Sequence, residues 1–120
     1  MFQDILAMGS GGGSGSSATM TVKNTYAHSP SNPTTFEFSE VVTITKLDVA
    51  FKLHAAGFGC QCIIQYSSDG GTTFTTLDTV TINADVTYSA TTPITADVIK
   101  FVGSGGNANY MHVNGWEIEY

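Results

Sequence analysis

Arginine is missing from this chain, and positive charge is confined to four lysines, Lys23, Lys46, Lys52 and Lys100. Ten acidic side chains leave a formal net charge of −6. Recognition of phosphates and bases draws on clustered Arg and Lys, so no nucleic-acid partner is expected. An anionic membrane surface is not expected as a partner either, on the same ground. Long apolar runs are missing too: no window approaches the ~18 consecutive apolar residues of a membrane span. Residues 1–8 are mildly apolar but carry Asp4 and no base, whereas a secretory signal starts basic and has a longer apolar run.

Cysteine is scarce. Cys60 and Cys62 are separated by one residue, so on a strand both thiols face one way with Cα atoms near the upper limit for a disulfide. They are expected to be small buried thiols. A metal site needs further ligands, and His54 is the one nearby candidate, so neither a metal nor any other cofactor is expected. Charged residues make up 12% of the chain, about half the roughly 25% usual in soluble domains. Thr, Ser, Gly and Asn stand in their place, a substitution that favours strands.

The chain divides in two. Residues 1–17 hold a short apolar head followed by a Gly/Ser tract, which cannot bury enough surface to offset its backbone entropy and is expected to be a flexible arm. Phe2, Ile5, Leu6 and Met8 are its candidate anchors on a neighbouring protein. Residues 18–120 read as short strands punctuated by Gly, Pro, Asn and Asp. A first Thr-rich strand is expected over 19–27, then a loop holding Pro30 and Pro33. Segments 35–38 and 41–45 follow. Leu47, Val49, Phe51 and Leu53 alternate with polar residues, the period-2 signature of a strand with one buried face. Val42 and Ile44 are out of phase with Leu47, which predicts a bulge or bend near Thr45 and Lys46.

After a turn at 57–59, Cys60, Cys62, Ile64 and Tyr66 share a face. Ser67-Ser-Asp-Gly-Gly-Thr72 is a strong hairpin signal, because Asp-Gly and Gly-Gly supply the positive φ of tight turns. Strands are then expected over 73–82, 86–89 and 94–102, with a turn at 83–85 and loops at Pro93 and 103–107. In the last strand, Tyr110, His112, Asn114, Trp116, Ile118 and Tyr120 fall on one face and Met111, Val113, Glu117 and Glu119 on the other. Seven or eight such strands make an all-β, antiparallel β-sandwich or jelly roll behind a flexible N-terminal arm.

No catalytic constellation emerges. His28, His54 and His112 accompany no serine elbow and read as loop or strand-surface residues. Glu117 and Glu119 fall on an outward face, where solubility accounts for them. Asp69-Gly-Gly lacks the further carboxylates of a Ca²⁺ loop. The glycines of 9–15 precede no Lys-Ser/Thr and follow no strand, so they form no phosphate loop. Tyr26, Phe58 and Tyr110, near strand ends or loops, are the candidate aromatics for a sugar platform.

From Cys60 onward the segments QYSSDGGTTFTTL, ADVIKFVGSGG and HVNGWEIEY resemble a galactose-binding-like jelly roll of the discoidin kind. Phe74 takes the aromatic position after the hairpin turn, and Lys100 stands where members of that family often carry Arg. The resemblance implies a sandwich with a habit of binding glycans or proteins. The opening MFQDILAMGSGGG resembles the starts of small structural proteins of tailed bacteriophages. Together these lead to the expectation of a non-enzymatic virion structural protein, a capsid decoration, head-fibre or tail-associated component assembled in the host cytoplasm. Its arm would bind other virion proteins, within a homo-oligomer or larger assembly. The alternative is a carbohydrate-binding module for surface or host attachment.

Overall fold

The computed structural model describes residues 17–25, 33–53, 59–105 and 111–120. Eight strands run in the order β1 (Met20–Lys23), β2 (Thr34–Ile44), β3 (Lys46–Leu53), β4 (Cys60–Ser67), β5 (Thr75–Ile82), β6 (Val86–Ser89), β7 (Ile94–Ser104) and β8 (Met111–Glu119). They form a five-stranded sheet, β1-β2-β7-β4-β5, packed on a three-stranded sheet, β6-β3-β8. Every pairing is antiparallel. The chain is an all-β sandwich.

The alternation expected in β3 and β4 is present. Leu47, Val49, Phe51 and Leu53 are buried, as are Cys60, Cys62 and Ile64. Both thiols are free, and burial pushes the Cys62 thiol up to about 12. Aromatic rings join the sheets: Phe36 and Phe101 of the large sheet meet edge-on at 4.9 Å. Phe51 packs edge-on against Phe101 at 6.0 Å and Trp116 lies 5.2 Å from Phe36. Rings in such tilted arrangements contribute about 0.5–1.5 kcal/mol each beyond their buried area. The open flanks of the sandwich are tied across. Tyr88 Oη of β6 donates to Asp78 Oδ2 of β5 at 3.0 Å, and the Val113 N–H of β8 donates to the Thr25 carbonyl at 3.0 Å.

Several expectations need correction, and bulges or sheet changes account for most. Segments 35–38 and 41–45 belong to one strand, β2, whose register against β7 slips between Glu37 and Val42. That slip turns Val41 outward, 46% exposed. The bend at Thr45 is where the chain leaves the large sheet for the small one, and the Thr45 N–H donates to the Glu119 carbonyl at 2.9 Å. In β8 the register slips opposite Ala50/Phe51, so Asn114 is an extra residue. An extra residue inverts the facing of everything before it. Met111 and Val113 therefore join Trp116, Ile118 and Tyr120 in the core, while Asn114 is exposed. His112 is buried, not a surface histidine. The first strand ends at Lys23, because Asn24 turns left-handed at φ 57°, a conformation Asn tolerates better than most residues. Gly103 and Ser104 extend β7 past its expected end.

Candidate functional site

The registers assign the connections to two opposite ends. Thr34 pairs with Phe101, Gln61 with Ser104, Cys60 with Ile82, Leu53 with Met111 and Phe51 with Val86. The connections β1–β2, β3–β4, β5–β6 and β7–β8 thus leave one end of the sandwich. The β4–β5 hairpin and the β2–β3 and β6–β7 connections leave the other. Tyr26 follows β1, Phe58 precedes β4 and Tyr110 precedes β8, so the strand ends flanking these three aromatics belong to the first end. The three residues themselves, with Phe2, Ile5, Leu6, Met8, His28 and His54, lie outside the described residues.

What is described at the first end centres on Asp85, in the short turn between β5 and β6. Its Oδ1 accepts the N–H of Leu53, the last residue of β3, at 3.1 Å, which fixes the carboxylate beside the mouth of the β3–β4 connection. On one side of Asp85 lies a depression of about 190 Å³ on the outer face of the small sheet. Its floor is low because Ala50 pairs with Thr87 on one side and Gly115 on the other. Lys52, Thr87 and Asn114 line its rim. The bulge that places Met111 and Val113 in the core is what thrusts the Asn114 amide outward, since bulges re-aim side chains. On the other side of Asp85 a second depression is lined by Leu53, Asn83 and Ala84. Gly59 supports it: a Cβ there would stand 2.5 Å from Asn83 Oδ1 and 3.2 Å from the Ile82 carbonyl.

The opposite end is built from the Ser67–Thr73 turn. Asp69 accepts from the Ser67 hydroxyl at 2.6 Å, the Thr73 hydroxyl at 2.6 Å, and the N–H groups of Thr73 and Thr72 at 2.9 and 3.1 Å. These donors, the Ser67 hydroxyl first, hold its carboxyl well below the usual carboxylate range. Asp97 accepts the Gly70 N–H with both oxygens, at 3.0 and 3.1 Å. Lys100 Nζ lies 3.7 Å from the centre of the Phe74 ring. Gly70 and Gly71 have φ of 73° and 93°, the positive values expected of this turn.

Among the described residues no group of three or more His, Cys, Asp or Glu side chains gathers to hold a metal. Glu117 and Glu119 are exposed, and Glu117 pairs with Lys46 at 3.0 Å. Lys52, Asn83, Asp85, Thr87 and Asn114 were not singled out by sequence. Asn83 and Asp85 carry ordinary turn chemistry, and Lys52 is the expected outward residue of an alternating strand. Only the pairing of β3 with both β6 and β8 brings these side chains together.

No family sequence model matches the chain, and the comparison with curated proteins gives no match. Among solved structures it is similar to CBM32-1, a carbohydrate-binding module from a family 31 glycoside hydrolase of Clostridium perfringens. The match has a TM-score of 0.56 at 18% identity and covers 91% of this chain and 80% of the other. The likeness is one of fold. It agrees with the galactose-binding-like architecture expected from the hairpin and the final strand. The bacteriophage resemblance of the N-terminal sequence draws no support from these comparisons.

Proposed function

We propose that this chain is a carbohydrate-binding module, acting by attachment and not by catalysis. The observation that carries the reading is the pair of depressions about Asp85, at the end of the sandwich from which four connections leave. They sit on a fold shared with a carbohydrate-binding module. The chemistry suits a polyol. A carboxylate only accepts, an ammonium only donates, and amides and hydroxyls do both; sugar hydroxyls need both functions within a few ångströms. Ala50 and Val86 add apolar lining to the first depression. Small sites of this kind combine a few placed polar groups with apolar walls.

Screening the full chain on a glycan array, followed by isothermal titration of the glycans retained, tests this. Saturable binding of at least one glycan class is expected. A chain that retains no glycan on the array and gives no heat at millimolar sugar would refute the proposal.

A further inference from the structure

Three of the four lysines are occupied. Lys23 pairs with Glu37 at 2.8 Å, Lys46 pairs with Glu117, and Lys100 covers Phe74. Among the described residues Lys52 has no ion pair, hydrogen bond or ring contact, and it lines the same depression as Asp85. The two opposite charges therefore share one hollow without touching. A hydroxyl that donates to the carboxylate and accepts from the ammonium would bridge them. A carboxylated or phosphorylated ligand would satisfy Lys52 but bring its own charge against Asp85 and the net −6 of the chain. The pair selects for neutral, hydroxyl-rich ligands.

Asp85 also lines the second depression, with Leu53, Asn83 and Ala84. One carboxylate, whose Oδ1 accepts the Leu53 N–H, thus lines two hollows: one with residues of the sheet face, the other with residues of the strand end. We infer, on the carbohydrate-binding reading above, that the site takes a neutral oligosaccharide of at least two contiguous sugar units straddling Asp85. One unit lies on the face of the small sheet against Lys52, Thr87 and Asn114. The next lies at the strand end beside Leu53 and Asn83. Affinity then depends on chain length.

Isothermal titration of the full chain against galactose, lactose and lacto-N-tetraose, and against N-acetylglucosamine, chitobiose and chitotriose, tests the inference. In the series that binds, the disaccharide is expected to bind roughly tenfold more tightly than the monosaccharide. Asp85→Asn and Lys52→Met are each expected to weaken the disaccharide by about tenfold or more. Asp85→Asn retains an oxygen for the Leu53 N–H, and the unfolding midpoint of each variant establishes that it is folded. Equal affinity for mono- and disaccharide, or two folded variants that bind as the parent does, overturns the inference while glycan binding stands. Tighter binding of digalacturonate than of the neutral disaccharides overturns it too. No binding in either series, with an empty glycan array, overturns the carbohydrate reading itself.

Discussion

The two ends of this sandwich use similar residues to opposite effect. At the hairpin end, Asp69 gathers four donors from its own turn, Asp97 holds the Gly70 N–H, and Lys100 lies on Phe74. At the other end Asp85 accepts the Leu53 N–H and Lys52 has no partner among the described residues. A carboxylate whose lone pairs are filled by its own loop is spent on shape. One held through a single oxygen keeps capacity for something else. On the proposed reading, stability and recognition belong to different ends, and substitutions at the two ends should separate them experimentally.

The largest effect belongs to Ser67, which is buried at the closed end. Its hydroxyl donates to Asp69 and accepts from the N–H groups of Asp69 and Gly71 at 3.2 and 3.0 Å. Ser67→Ala removes all three bonds at once and is expected to cost about 1–3 kcal/mol. Urea unfolding measures the loss, while disaccharide affinity should stay at the parent value. A folded Ser67→Ala that loses glycan binding would show that the ends are not independent.

Next comes the acid limb of stability. The carboxyl of Asp69 is held below its ordinary value of 3.8 in the folded chain, so the unfolded chain binds that proton more readily. Its contribution is complete above about pH 5 and disappears as pH falls below 3.8 towards the lower folded value. Asp69→Asn should therefore unfold at a lower temperature than the parent at pH 7. The gap should narrow as the pH is lowered through 4 to about 2. A gap that stays constant over that range would mean the carboxylate charge contributes nothing.

How far this contrast could be read in the sequence follows from the range of the interactions. The hairpin was legible because Ser67, Asp69, Gly70 and Gly71 bond within their own turn. The faces of β3 and β4 were legible because alternation is a local pattern. The bulge at Asn114 was not, since one extra residue alters no composition and only the pairing of Ala50 with Gly115 and Phe51 with Val113 exposes it. Sheet order was illegible for the same reason: β7 lies between β2 and β4, which are distant in sequence from it. The site inherits that limit. Asp85 looks like turn punctuation until β3 is placed beside β6, and Lys52 like ordinary strand surface until three of the four lysines prove to be occupied.

A smaller test concerns the cation at the closed end. Lys100 is half-buried with its ammonium over Phe74, and a cation on a ring face contributes about 0.5–1 kcal/mol at partly exposed sites. Lys100→Met keeps the apolar stem and removes the charge, so a loss of that size is expected. Lys100→Arg should recover it, since guanidinium stacks on aromatic faces. An Arg variant no more stable than the Met variant would leave the contact as packing alone.

The smallest expected change is the one that decides the comparison. Asp85 is exposed, and its link to the fold among the described residues is the acceptor it offers Leu53, a role the amide oxygen of Asn also fills. Asp85→Asn should therefore shift unfolding free energy by no more than about 0.5 kcal/mol, as surface substitutions usually do. Set beside Ser67→Ala, this gives opposite signatures: one variant loses stability and keeps its affinity for the disaccharide, the other keeps stability and binds the disaccharide more weakly. A loss of stability in Asp85→Asn as large as that in Ser67→Ala would make Asp85 a second structural clamp. The open end would then be closed by the same chemistry as the hairpin.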